Sequence, residues 1–121
     1  MKKYSIILIL ILGTIFLGSC KYDFILPEVV PPPDNGGQPI SFATQIVPIF
    51  ADKCLSCHDT QAPMMNASNA YSQIVPGYVN TTTPASSKIY VNSSSGTHYA
   101  KVSGAQAALI LQWITEGANN N

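Results

Sequence analysis

Between residues 41 and 121, apolar residues recur with the spacing of amphipathic α-helices. The first such segment has four apolar residues on one face: Phe42, Ile46, Ile49 and Phe50. Ser41 precedes this face and is the predicted N-cap, because its hydroxyl can accept a hydrogen bond from the first helical turn. Pro48 lies inside the pattern and has no backbone N–H to donate, which predicts a kink there.

The last segment carries the clearest helix signals. Ser103 and Gln106 have the spacing of a capping box, and Gly117 is placed to end the helix. The apolar stripe between them consists of Leu109, Ile110, Trp113 and Ile114. We therefore expect this helix to bury one face in the core.

Two weaker helical segments lie between these. One follows Ser68 and includes Ala70, Tyr71 and Ile74. The other begins at Thr83 and Pro84, which suit an N-cap and a first helical position, and covers residues 84–91. Residues 92–97 are predicted to form a loop, and strand signals are weak throughout. The sequence thus predicts a small, mostly α-helical fold of 3–4 helices.

The N-terminal segment, residues 1–19, has the pattern of a secretory signal: a basic start, an apolar run from Ile6 to Leu12 and a small-residue cleavage zone. It falls short of the roughly 20 apolar residues that span a bilayer. Leu17-Gly18-Ser19-Cys20 resembles the lipobox of bacterial lipoproteins, which predicts that Cys20 is lipidated. The alternative is an ordinary signal peptide followed by an unrelated thiol.

The next segment, residues 20–40, is predicted to be the lipidated cysteine followed by a tether. Five of the nine prolines of the chain lie here, and such composition favours extended polyproline conformations. The remaining residues, 41–121, are predicted to form one domain. A domain of this size buries a marginal core unless another group contributes to it.

The charge balance excludes one class of function. From Cys20 onward the chain has four lysines, no arginine and six carboxylates, a net charge of −2. Nucleic-acid binding requires a basic surface, so no nucleic-acid partner is expected.

The segment Cys54-Leu55-Ser56-Cys57-His58 is the attachment motif of c-type haem. Two thiols three positions apart on a helical turn can add to the two vinyl groups of the porphyrin, and the adjacent imidazole can ligate the iron. One alternative is a disulfide or thiol-exchange pair of Cys54 and Cys57, although no strand precedes the motif. Another is zinc bound by both cysteines, His58 and His98, although this spacing is unusual for zinc.

Two stretches resemble small bacterial monohaem cytochrome c domains. The run from Phe42 through Ile46, Pro48 and Phe50 leads into the haem motif, and residues 109–118 resemble their closing helix. The resemblance covers residues 41–119. It implies a cytochrome c-like fold with one covalent haem c, in which the first and last helices cross. Five side chains are then expected to pack between helices and against the ring: Phe42, Phe50, Ile110, Trp113 and Ile114.

The resemblance leaves the second axial ligand of the iron open. In the family this ligand normally precedes the last helix, where His98 lies, so His98 is the predicted distal ligand opposite His58. Met64 and Met65 are the alternatives, and an open or water-bound position is a third.

The predicted function is electron transfer by a monohaem c-type cytochrome anchored to the membrane by lipid, with redox proteins as partners. The scarcity of lysines predicts docking through a small, partly apolar patch. Lys21 after Cys20 favours anchoring in the outer membrane of the cell envelope, which an exported lipoprotein reaches through the periplasm. The chain lacks other catalytic motifs, so an enzyme is not expected. Two alternatives remain: a haem-based sensor or peroxidase-like module with an open iron position, and a non-redox binding lipoprotein.

Overall fold

The computed structural model describes residues 31, 34–95, 98 and 101–121. The predicted signal, the predicted lipidation site Cys20 and most of the predicted tether lie outside the described residues. Within the part of the chain that is described, no helix has both the length and the apolar character needed to cross a membrane.

The described residues form helices joined by turns, and no strand occurs among them. In chain order the elements are a π-helical turn (Phe42–Ile46), α1 (Val47–Lys53), α2 (Leu55–His58), α3 (Ala70–Tyr78), a 3₁₀ turn (Pro84–Ser86), α4 (Lys88–Ser94) and α5 (Gly104–Thr115). The predicted mostly α-helical class is confirmed for this part of the chain.

Near Pro48, where the sequence predicts a kink, the helix changes from π-helical to α-helical. The backbone N–H groups of Ile46 and Val47 donate to the carbonyls of Ser41 and Phe42, five residues back, as in a π-helix. Pro48 then lies in the first turn of α1, where an N–H has no helical partner to lose. The predicted cap is also present, since the Ser41 hydroxyl accepts from the Thr44 N–H at 3.3 Å.

The capping box that the sequence predicts at the start of α5 is confirmed. The Ser103 hydroxyl accepts from the Gln106 N–H at 3.2 Å, and the Gln106 side chain accepts from the Ser103 N–H at 3.0 Å. Gly117 ends the helix with φ +102°, a left-handed conformation that a side chain would strain. The buried residues of the helix are Ala107, Ile110, Trp113 and Ile114.

The middle of the chain differs from the prediction in one place. The predicted helix over residues 84–91 is instead a 3₁₀ turn and α4, separated by Ser87 in an extended conformation. The buried Ser87 hydroxyl accepts from the Asn80 N–H at 2.8 Å and approaches the Asn80 carbonyl at 3.3 Å. These bonds compete with helix formation. As a result α4 begins late and continues to Ser94, into the predicted loop.

The helix predicted after Ser68 is confirmed as α3, with Ala70 and Ile74 buried. Its packing joins it to an aromatic cluster at the centre of the core. The Phe42 ring lies 5.1 Å from Tyr71, 5.2 Å from Trp113 and 6.3 Å from Phe50 between ring centroids. The first and last helical segments are therefore in contact, as expected.

The two ends of the described domain are held together by hydrogen bonds. The Ile40 N–H donates to a Glu116 carboxylate oxygen at 2.6 Å, and the Phe42 N–H donates to the Asn121 side chain at 2.9 Å. Ile40 is 1% exposed, so the folded part includes a residue that the sequence places in the tether.

Candidate cofactor site

The cysteine motif forms a tight helical turn at the end of α1. The backbone N–H groups of Cys57 and His58 both donate to the Cys54 carbonyl, at 3.1 and 2.9 Å. Cys54 itself continues from α1, because its N–H donates to the Phe50 carbonyl at 2.9 Å. Cys54 is half-buried, Cys57 is exposed, and both are free thiols. The two sulfurs and the imidazole thus lie within one short helical segment.

The His58 ring is oriented by the segment that follows it. Its Nδ1 lies 3.3 Å from the Gln61 carbonyl oxygen. A carbonyl oxygen only accepts, so Nδ1 is the donor in this contact, and in the neutral ring Nε2 then carries the lone pair. Such a bond to the second ring nitrogen is the usual way in which proteins orient a metal-ligating histidine. His58 can therefore present Nε2 to a metal ion.

Beside this motif lies a cavity of about 220 Å³. Its apolar wall consists of Pro63, Met65, Tyr78, Ile89 and Val102. Its polar lining consists of Lys53, Asn92, Ser93 and Lys101. Cys54, His58 and His98 also line it, so a thiol and two imidazoles meet around one largely apolar space.

The two histidines of the chain approach each other at this cavity. Their ring centroids are 6.1 Å apart and the ring planes are inclined by 51°. When two imidazoles bind one metal ion from opposite sides, their ring centroids lie about 6 Å apart. Each metal–nitrogen bond is about 2.0 Å long, and each centroid lies beyond its nitrogen. His98 is exposed, and its backbone N–H donates to the Asn92 carbonyl at 3.2 Å. This hydrogen bond to α4 holds His98 near His58.

The structure separates the two methionines that the sequence leaves as alternatives. Met65 is 5% exposed and lines the cavity, whereas Met64 is half-buried and does not line it. The Met65 N–H donates to the His58 carbonyl at 2.8 Å, so its backbone is held beside that histidine. The described geometry therefore gives Met65 a place in the apolar wall.

Burial is the main influence on the Cys54 thiol. It raises the pKa of Cys54 above the ordinary thiol value, an effect that Lys101 opposes and Cys57 reinforces. Thiol-exchange sites need the reverse shift, because the thiolate is the reactive form. For the zinc alternative, no group of three or more His, Cys, Asp or Glu side chains among the described residues lies close enough together to hold one metal ion.

The cavity lining includes groups that can hold a haem. The thiol of Cys54 lines the cavity, whereas that of Cys57 lies outside its lining. A thiol can form a thioether, two imidazoles can ligate iron, and apolar side chains can pack on a porphyrin face. The volume of 220 Å³ is below the roughly 300–1,000 Å³ of pockets that enclose drug-sized ligands. The cavity would therefore enclose only part of a porphyrin, although its largely apolar lining is compatible with one.

The residues expected between the helices and against the ring lie in the core. The five core residues expected against the ring (Phe42, Phe50, Ile110, Trp113 and Ile114) pack together in the core, and none lines the cavity. The apolar wall instead comes from residues that the sequence analysis did not single out, such as Tyr78, Ile89 and Val102. They belong to three separate segments, and no motif links them in the sequence.

Comparison of the chain with protein-family models, characterised proteins and solved structures gave no match. The interpretation of this cavity therefore depends on its motif and its geometry.

Proposed function

We propose that this protein is a monohaem c-type cytochrome that transfers electrons at the cell envelope, anchored through a lipid on Cys20. The haem would be linked to Cys54 and Cys57, with His58 and His98 as the axial ligands, in a cytochrome c-like fold. One observation carries the proposal: two imidazoles whose ring centroids are 6.1 Å apart line the same largely apolar cavity as a thiol of the motif.

The side chains around the cavity have distinct roles in this proposal. The thiols of Cys54 and Cys57 would hold the porphyrin edge, and the Gln61 carbonyl keeps the His58 ring in one orientation. Met65, Ile89 and Val102 would form the apolar side of the space that receives the porphyrin. A bound haem supplies an iron that changes between two oxidation states.

Two fixed imidazoles suit electron transfer better than catalysis. An iron with both axial positions filled by the chain has no free position for a substrate, and its surroundings change little when its charge changes. The rate then depends on how closely a partner approaches the haem edge. Redox proteins are accordingly the proposed partners, and the proline-rich segment before residue 34 would give the domain reach above the membrane.

The first experiment asks whether haem is attached. The full chain is produced in a bacterium that matures c-type cytochromes, and a denaturing gel is stained for haem. Covalent haem should be retained by the native chain and lost when Cys54 and Cys57 are both replaced by alanine. A colourless native protein whose two cysteines form a disulfide would refute the proposal.

The second experiment tests the axial ligands by optical and electron paramagnetic resonance spectra of the oxidised protein. The native protein should be low-spin with two nitrogen ligands, and His98→Ala should convert it to high-spin. Met64→Leu is the control, because Met64 lies outside the cavity, and it should leave the spectra unchanged. A high-spin native spectrum would instead favour the alternative of a haem-based sensor or peroxidase-like module with an open iron position.

A further inference from the structure

A second cleft lies beside the candidate cofactor cavity. It has a volume of about 390 Å³ and is lined by the end of α3, the segment after it, the 3₁₀ turn and the start of α4. Tyr78 lines both the cleft and the cavity, so this side chain belongs to a wall that the two share. Small-molecule sites have volumes of roughly 300–1,000 Å³. We call this space, which Asn80 and Lys88 also line, the lysine cleft.

The lysine cleft has a positive charge that no side chain neutralises. Among the described residues that line it, Lys88 is the only charged one. The Lys88 Nζ lies 5.9 Å from the centroid of the Tyr78 ring, and the attraction between a cation and the ring face favours this position. Within the part of the chain that the structure describes, the one ion pair joins Lys53 and Asp52. The charge of Lys88 is therefore available to a ligand.

The hydrogen-bond acceptors of the lysine cleft are largely used within the protein. The Asn80 Oδ1 accepts from the backbone N–H groups of Thr82 and Thr83, each at 3.0 Å. The Asn80 carbonyl accepts from the Ser87 hydroxyl at 3.3 Å. These bonds form the loop between α3 and the 3₁₀ turn, and they occupy both oxygens of Asn80.

Two donors of the lysine cleft remain available. The Asn80 Nδ2 and the Thr81 hydroxyl bond no other described residue, and both side chains are exposed. Together with the Lys88 ammonium they give the cleft more donors than acceptors. Hydrogen bonds to an ionised partner are roughly twice as strong as those between neutral groups. The lining is therefore suited to an anion that has several acceptor oxygens.

We propose that the lysine cleft binds a phosphate monoester, with its phosphate on Lys88, Asn80 and Thr81. A phosphate monoester has three strong acceptor oxygens and a charge of about −1.5 to −2 near neutral pH. This number of oxygens matches the three donor side chains, whereas a carboxylate offers only two. The volume leaves room for a small organic part beside Pro76 and Val79. None of the residues proposed to hold haem takes part in this site.

The position of the lysine cleft gives a bound phosphate an effect on the cofactor cavity. Tyr78 is shared by the two spaces, and Ile89, which lines the cavity, directly follows Lys88. Negative charge near an iron centre favours its oxidised state, so a bound phosphate should lower the reduction potential. This effect, unlike the binding itself, rests on the proposed function.

The test is isothermal titration calorimetry of the full-length protein in a non-ionic detergent and a buffer without phosphate. The probes are glucose 6-phosphate and the soluble short-chain lipid dihexanoyl phosphatidic acid, which carry the same phosphate on different organic parts. Glucose is the neutral control. Each phosphate should bind saturably at one site, glucose should not bind, and the affinity for phosphate should fall as salt is added. The tighter of the two probes then indicates whether the natural ligand is a free metabolite or a lipid headgroup.

Two variants remove the proposed contacts without disturbing the core, because both positions are exposed. Lys88→Gln should weaken binding of glucose 6-phosphate roughly tenfold or more. Asn80→Asp keeps an oxygen for the N–H groups of Thr82 and Thr83 but replaces the donor by a negative charge, so it should abolish binding. Asn120→Asp is the matched control, because it makes the same charge change at an exposed residue outside the cleft, and it should weaken binding less than about twofold.

Three results would overturn the site. They are the absence of saturable binding below about 10 mM phosphate monoester, equal binding of glucose, and a loss in Lys88→Gln no larger than in Asn120→Asp. Circular dichroism of each variant checks that it is folded.

The effect on the cofactor is measured separately, as the reduction potential of the holoprotein with and without glucose 6-phosphate. The potential should fall in the native protein and stay constant in Lys88→Gln. A constant potential in the native protein with the site filled would overturn the coupling through Tyr78 and leave the site in place. A protein without haem would refute the proposed function, whereas the calorimetric result would still decide whether the phosphate site exists.

Discussion

The Ser87 hydroxyl decides where α4 begins, and removing it should destabilise the domain measurably. Ser87 is 1% exposed, and its hydroxyl bonds both backbone groups of Asn80 at 2.8 and 3.3 Å. Ser87→Ala removes both bonds and leaves a backbone N–H and a carbonyl without their partner. Helix α4 carries Ile89, Asn92 and Ser93 to the cavity wall, so the same bonds position part of the site.

The size of the effect follows from these two bonds. Each contributes about 0.5–1.5 kcal/mol net, and a buried group left unpaired costs more. Asn80 is itself exposed, so water can replace part of what is lost. We therefore expect Ser87→Ala to lower the free energy of unfolding by about 1–2 kcal/mol. For a domain of this size that corresponds to a fall in Tm of roughly 4–16 °C, at about 4–8 °C per kcal/mol.

The measurement is urea and thermal unfolding of the holoprotein, followed by circular dichroism. The neighbouring Ser86→Ala is the matched control, because Ser86 is exposed and its hydroxyl bonds only the Thr83 segment. That variant should stay within about 0.5 kcal/mol of the native protein. Equal stability of the two variants would refute the argument that the Ser87 hydroxyl fixes the break between the 3₁₀ turn and α4.

Two further predictions concern the cavity. Met65→Ala should reduce the free energy of unfolding by about 2–5 kcal/mol, because Met65 is 5% exposed, and Met64→Ala should reduce it clearly less. Urea unfolding of both variants measures the two losses. Similar losses would contradict the different placement of the two side chains. In protein prepared without haem, Cys54 should be alkylated by iodoacetamide more slowly than Cys57 at mildly alkaline pH, because burial raises the pKa of Cys54 and so lowers its thiolate fraction. The Cys54 rate should rise with pH through that raised pKa, and mass spectrometry showing equal rates at the two thiols would contradict its burial.

The site combines a part that is local in sequence with a part that is not. Cys54, Cys57 and His58 are brought together by a single helical turn, so the motif alone specifies their relation. His98 reaches the same cavity through a contact with α4, since its backbone N–H donates to the carbonyl of Asn92, which also lines the cavity. The proposed second ligand is therefore the part of the site that depends most on the fold.

Much of the local structure was determined by the sequence. Ser41 caps the first helical segment and the Ser103–Gln106 capping box starts α5, because each depends on side chains within a few residues of the backbone that they bind. The apolar spacing likewise identified Phe42 and Trp113 as core residues, since burial of a helix face follows directly from its period.

The tertiary structure decided the features that depend on residues far apart in the chain. Ser87 separates the 3₁₀ turn from α4, and its hydroxyl bonds a backbone partner seven residues earlier. Met65 lines the cavity and Met64 does not, although the two have the same chemistry. Periodicity and capping report short-range geometry, whereas contacts of this kind exist only once the helices have packed.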